Sequence, residues 1–311
     1  MPTSASDTSR RKLIVTGAHG FVAGSVLSQA GVDWQVHAVS RGAAQAGSDN
    51  LQWHSCDPLA LGELARLFRE IQPQAVIHTA AIADIDVCQA QREMARAVNV
   101  DFTRTLAALC HETGTRLVFC STDTVFDGEH APYGEDAPPG PVNFYAETKV
   151  AAEKLVRGLG AQGVIARLSL VVGLPVLGAG NSFLAKTVAA LKQGRAVAFS
   201  GYEVRSPVDV ITLGRALLEL AAGSQHGVFH LAGLSRMNRF EMGQAIARRF
   251  GFPQDLIKEQ GAATTPGRAP RPRDVSLDTR QTRAQLKTPL RTLDEGLSLI
   301  LETANSAHAR A

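Results

Sequence analysis

Short apolar runs recur along the chain, separated by longer segments whose apolar positions follow a helical period. The runs are KLIVT (12–16), QVHAV (35–39), LQWHS (51–55), AVIHT (75–79), RLVFC (116–120), GVIARLSLV (163–171) and GVFHL (227–231). Their apolar character is nearly unbroken and they are bounded by Gly, Pro or Asp. That is the pattern of parallel strands covered on both faces, since a half-exposed strand would alternate. Between them, LGELARLFREI (61–71), the stretch from Gln89 to Thr113, and YAETKVAAEKLVRGL (145–159) predict helices. Strand–helix alternation of this kind predicts an α/β fold built on a doubly wound parallel sheet. From about Leu174 the rhythm loosens, and Gly/Pro-rich segments such as GLPVLGAGN and TTPGRAPRPRD predict a smaller C-terminal lobe. The expected division is a nucleotide-binding domain over 12–173 and 208–235 and a substrate lobe over 174–207 and 236–300. Disordered tails are expected at 1–11 and 301–311, and no internal repeat is evident.

Composition narrows the function classes. A net charge of +3 spread over 311 residues gives no basic stripe for a nucleic-acid partner. No apolar run approaches the roughly 20 residues of a membrane span. The N-terminal MPTSASDTSRRK is polar and has no apolar stretch behind it, so it does not read as a secretory signal. Cys56, Cys88, Cys110 and Cys120 lack metal-ligand spacing, and free thiols in a reducing cytoplasm are expected, with no metal.

The first strand runs into TGAHGFVAG, with Gly17 and Gly20 three apart where a first strand would turn into a first helix. Small residues there let the backbone approach a pyrophosphate, and the N–H groups around His19, Phe21 and Val22 can receive it. Following a first strand in an alternating chain, GxxGxxA predicts a Rossmann-type dinucleotide site. At the end of the second strand stands VSRG. Ser40 and Arg41 suit a 2′-phosphate, where an acid would bind a ribose hydroxyl instead, so NADP(H) is expected ahead of NAD(H). Arg41 is equally compatible with a solvated loop. Asp57 is a candidate for the adenine amino group or a helix N-cap ahead of Pro58.

The fifth strand delivers STDTVFDG, with Ser121, Thr122 and Asp123 at its carboxyl end, the edge at which ligands bind in open α/β sheets. Tyr145 and Lys149 lie one helical turn apart on one face. Reducing a carbonyl by hydride transfer needs a proton donor; a tyrosine can serve, with an ammonium nearby lowering its pKa and a hydroxyl holding the same oxygen. The bland alternative is a wet helix face with an exposed Lys149–Glu153 pair worth about 0.3–0.5 kcal/mol.

TGxxGxxA, HTAA (78–81), Asn99 in AVNVD, STDTVFDG and YxxxK together resemble the short-chain dehydrogenase/reductase family in its extended form. With PYGEDAPPGPVNFYAETKVAAEK, NSFLAKTV and RPRDVSLD, residues 12 to 300 are similar to the dTDP-4-dehydrorhamnose reductases and their relatives. The resemblance implies Thr122, Tyr145 and Lys149 as the catalytic set, with Asn99 organising the lysine through the backbone. It implies that Lys149 holds the nicotinamide ribose and that Thr79, Ala80 and Ala81 lie along the cofactor. It also implies a cytoplasmic homodimer formed through the helices nearest the site. Asp123, Thr124, Leu170, Asn181 and Arg205 would face the substrate. Thr124 and Leu170 depart from the rhamnose-forming reductases, which carry aromatic residues there, so the expected activity is NADP(H)-dependent reduction of a keto group on a deoxysugar nucleotide or related small molecule.

Arg205, Arg268, Arg271, Arg273 and Lys186 could serve a sugar-nucleotide diphosphate or be solvated. His78 and His230 read as core or cofactor-edge residues. Two other functions remain compatible with the sequence. One is a nucleotide-sugar epimerase or dehydratase that retains NAD(P), with Asp123 as the acid. The other is a non-catalytic regulatory subunit, like that of methionine adenosyltransferase.

Overall fold

The computed structural model describes residues 10–42, 44, 45, 47–57, 60–177, 182–261 and 268–308. Seven strands form one sheet: β1 (Arg11–Thr16), β2 (Trp34–Ser40), β3 (Leu51–Ser55), β4 (Ala75–His78), β5 (Arg116–Thr122), β6 (Gly163–Leu168) and, after a long excursion, Gly227–Leu231. Their spatial order is β3–β2–β1–β4–β5–β6 followed by Gly227–Leu231, and every pairing is parallel. Each predicted apolar run supplies a strand of this Rossmann sheet, but the run predicted over 163–171 leaves it at Leu168, and Val171 joins a separate two-stranded sheet. The unbroken apolarity follows from two covering layers. On one face Leu13, Val15, Val36, Ala38 and Val118 pack beneath α1 (Phe21–Gln29). On the other, Ile14, Val76, Leu117 and Phe119 pack against α2 (Leu61–Ile71) and two further helices.

The stretch predicted as one helix from Gln89 to Thr113 is broken. It comprises α3 (Ile85–Ala90), α4 (Arg92–Arg96), a π-helical turn over Ala97–Asp101, and α5 (Phe102–Thr113). Gln91 interrupts it with φ −122° and ψ 59°. The π turn carries Asn99, whose carbonyl accepts from Thr103 Oγ1 at 2.8 Å. Widened turns of this kind concentrate at functional sites. Helix α6 (Phe144–Arg157) follows β5, capped by Asn143.

Beyond β6 the short β7 (Val171–Val172) leads to α7 (Phe183–Lys192), β8 (Val197–Ser200), β9 (Val204–Arg205), β10 (Val208–Asp209) and α8 (Val210–Ala222), the helix that joins α1 over the sheet. After β11 (Gly227–Leu231) come β12 (Met237–Asn238), α9 (Arg239–Arg249), β13 (Ile257–Gln260), α10 (Arg280–Gln285) and α11 (Leu293–His308). A separate apolar cluster unites Val172, Leu184, Val210, Met242, Ile246 and Leu297 in this part of the chain.

Both tail expectations need correction. Residues 1–9 lie outside the described residues, but Arg11 already pairs with Trp34 and sets its guanidinium over that ring at 4.4 Å. At the other end, the expected disordered tail from 301 is helix through His308. Leu293, Leu297 and Ile300 anchor α11 at helical spacing, and the helix continues from that anchored start through LETANSAH. Among the described residues no helix is long and apolar enough to cross a membrane.

Candidate active site

β1 occupies the point where the strand order reverses, which opens a crevice at the carboxyl edge between β1 and β4. There a cavity of about 320 Å³ is lined by Gly17, His19, Gly20, Ser40, Arg41 and Thr79–Ile82, among others. Gly17 has φ +68°, and a Cβ on it would lie 2.7 Å from Ala80 Cα, so only glycine lets the two loops meet. Gly20 caps α1 with no side-chain bond, which leaves the first-turn N–H groups open to an anion. Phe21 and Val22 open that helix but turn their side chains into the apolar clusters. Ser40 Oγ bonds His19 Nδ1 at 2.6 Å, and His19 stacks on Trp53 with centroids 5.0 Å apart. No acid is found among the described residues that line the cavity, and Cys56 reaches it where the neighbouring Asp57 does not. These features fit a dinucleotide.

A buried hydrogen-bond chain backs the cavity. Thr103 donates to the Asn99 carbonyl, so it must accept from His78 Nε2 (3.0 Å), and His78 Nδ1 must then accept from Thr16 Oγ1 (2.7 Å). Burial holds His78 neutral, with its pKa down at about 3. Thr79 Oγ1 donates to the Thr16 carbonyl at 2.7 Å. The HTAA segment is thereby tied to β1 and to the π turn.

The predicted catalytic side chains converge. Thr122 ends β5, and Tyr145 lies in the first turn of α6 with its phenol near the Thr122 hydroxyl. Thr122 Oγ1 also lies 3.0 Å from Thr124 Oγ1. Lys149, one turn on, is 2% exposed, with its ammonium 4.1 Å from the Phe119 ring centroid. Burial lowers its pKa to about 8. The Tyr145 pKa is raised, mainly by burial, and the nearby Thr122 hydroxyl works against that shift. Lysine was expected to lower it; burial outweighs any such pull, and the nearby Asp123 carboxylate raises it further.

The Asn99 carbonyl takes its bond from Thr103, and its side chain is bonded as well. Its Oδ1 accepts from Ile82 N at 2.8 Å, and its Nδ2 donates to the Ile82 carbonyl (3.1 Å) and Thr148 Oγ1 (3.0 Å). The wet-face reading of α6 fails, because Glu153 is buried and paired with Arg167 at 2.9 Å, not with Lys149. Ser121 adds a bond to Glu153 at 2.6 Å.

Asp123, expected to face the substrate, is buried, accepts from Ser169 Oγ at 2.9 Å and faces Arg205 at 3.7 Å. Arg205, a candidate for substrate contact, is 3% exposed and held between Asp123 and Glu203. Glu203 also draws Arg239 (3.2 Å) and Arg268 (3.3 Å). Leu170 packs into the second-lobe cluster, and Asn181 lies outside the described residues. Sequence reasoning missed Ser169, Glu203 and the Asp86–Arg271 pair, which only folding brings together. Asn143 carried a readable signal, a cap residue just before a helical run.

A Rossmann sheet with threonine, tyrosine and lysine converging at its carboxyl edge defines an NAD(P)-dependent oxidoreductase of the extended short-chain dehydrogenase/reductase class. The family described as RmlD substrate binding domain matches residues 11–306, and the chain belongs to that family. It is 31% identical over 283 residues to methionine adenosyltransferase 2 subunit beta of Pongo abelii, covering 86% of this chain and 80% of that protein. It is 31% identical over 309 residues to dTDP-4-dehydrorhamnose reductase of Mycobacterium tuberculosis, covering 95% and 94%. The solved structure of dTDP-4-dehydrorhamnose reductase from Bacillus anthracis, in complex with NADP, shares the fold with a TM-score of 0.82. Identity there is 22%, over 94% of this chain and 99% of that one.

Proposed function

We propose that the protein is an NADP(H)-dependent reductase of a keto group on a deoxysugar nucleotide or related small molecule. The observation that carries this reading is the convergence of Thr122, Tyr145 and Lys149 beside the glycine-lined cavity. A bound nicotinamide supplies the hydride to the carbonyl carbon. Tyr145 donates its phenolic proton to the carbonyl oxygen, and its raised pKa keeps that proton in place at neutral pH. Thr122 holds the same oxygen with a hydrogen bond. Lys149 secures the ribose hydroxyls, and Gly17, Gly20 and the start of α1 receive the pyrophosphate. Arg41 and Ser40 read the 2′-phosphate, a role supported by the acid-free lining of the cavity. The working form is a homodimer through α5 and α6.

The test follows NADPH absorbance with a panel of keto-sugar nucleotides and simple ketones. Tyr145→Phe should abolish turnover of any substrate found while leaving the NADP+ dissociation constant nearly unchanged. Full activity in that variant would sink the mechanism. The similarity to a methionine adenosyltransferase subunit favours a second reading, a nucleotide-binding regulatory partner. Capture of a partner enzyme without NADPH consumption across the panel would support it instead.

A further inference from the structure

Tyr145 stands in the least secure part of its helix. It is the second residue of α6, in the turn whose N–H groups have no partner within the helix. One of those groups, on Ala146, donates to Asn143 Oδ1 at 3.0 Å. Asn143 is itself buried, and its Nδ2 donates to the carbonyl of Pro270 at 3.0 Å.

Pro270 belongs to a strap, residues 268–274, that arrives from the second lobe. The strap is pinned on both sides of the proline by one carboxylate. Ala269 N donates to Asp86 Oδ1 at 2.9 Å, and Arg271 grips both Asp86 oxygens at 2.7 Å. A two-pronged guanidinium–carboxylate contact fixes direction as well as distance. The Arg271 bonds hold the Asp86 pKa down at about 2, so the carboxylate stays charged at working pH. Further along, Val204 N donates to the Arg273 carbonyl at 2.8 Å, and a Cβ on Gly128 would lie 2.6 Å from Arg273 N. The strap therefore touches α3, the cap of α6, the loop after β5 and β9.

We propose that Asp86 and Arg271 are positioning residues: by seating the strap they lock Asn143, and Asn143 locks the helical turn that carries the proton-donating Tyr145. Placement of the second lobe is thereby coupled to placement of the proton donor. The inference rests on the reductase reading for the role of Tyr145, but the mechanical coupling is testable without it.

The experiment compares wild type with Arg271→Gln and Arg271→Lys by amide hydrogen exchange, NADP+ affinity and turnover. Loss of charge-assisted bonds predicts exchange about tenfold faster over residues 144–148 in Arg271→Gln. Exchange at β1, β4 and β5 should be unchanged, NADP+ affinity should stay within about twofold, and kcat should fall about tenfold. Arg271→Lys, which keeps the charge but not the fork, should fall between the two. Unchanged exchange over 144–148, or faster exchange across the whole chain, would overturn the coupling. A loosened first turn with unchanged kcat would overturn the positioning role. If wild type turns over no substrate of the panel, the reductase reading and the positioning role fall together, while exchange still decides the coupling.

Discussion

Burial sets the protonation of the cleft more than any single neighbour does. It raises Tyr145, lowers Lys149 to about 8 and raises Asp123 despite the nearby Arg205. A tyrosine held protonated is the form that donates, which is why the direction of its shift suits reduction. At the other end of the cleft, Arg41 is exposed and faces no acid across the cavity. Arg41→Ala should weaken NADPH by roughly tenfold or more through the lost charge-assisted bonds and leave NADH almost unaffected. Equal losses in titrations with both cofactors would show that Arg41 does not read the phosphate. Deeper in, Arg167 and Glu153 are both almost wholly buried and doubly bonded. Glu153→Gln leaves the guanidinium without its counter-charge and should cost about 3–5 kcal/mol in denaturant unfolding.

The elements show what a sequence can and cannot disclose. The inner strands were legible because strands buried on both faces read as apolar runs whatever lies over them, while the edge strand β3 is only half-buried. Helix α2 was legible too, since its apolar and polar faces alternate at helical period. The break at Gln91 and the π turn were not. The π turn carries Asn99, whose side chain reaches Ile82 and Thr148 on other elements, contacts that exist only in the folded chain. The grouping of Thr122, Tyr145 and Lys149 was legible as a spacing, whereas the partners of Arg205, Asp123 and Glu203, meet it only after folding. Helix α11 failed as a prediction for a related reason: its end is polar, but its start is anchored by Leu293, Leu297 and Ile300. Leu297 is fully buried in the second-lobe cluster, so Leu297→Ala should cost about 2–5 kcal/mol. A loss under 1 kcal/mol in thermal unfolding would mean that α11 is dispensable to that cluster.

Across the whole molecule, buried histidines make stability depend on pH below neutrality. The His37 pKa is lowered to about 4, by burial first and then by the adjacent His54, whose Nε2 lies 3.0 Å from His37 Nδ1. His78 is lowered to about 3, and His54 and His230 are lowered as well. Each takes up a proton in the unfolded chain near pH 6.5 but not in the native one. The unfolded state therefore binds more protons through this window, and stability falls as pH drops. For His37 and His78 the slope approaches about 1.4 kcal/mol per pH unit each, between about pH 6 and their native values. Asp123 and Asp209, raised by burial, oppose this trend. Asp86, lowered to about 2, extends the fall to still lower pH. His37 offers the cleaner test, because His78 also braces the cofactor cavity. Urea midpoints should drop steadily from pH 7 to pH 4.5 in wild type, and His37→Asn should flatten that dependence even if it lowers stability at pH 7. A slope identical to wild type in the variant would remove His37 from the account.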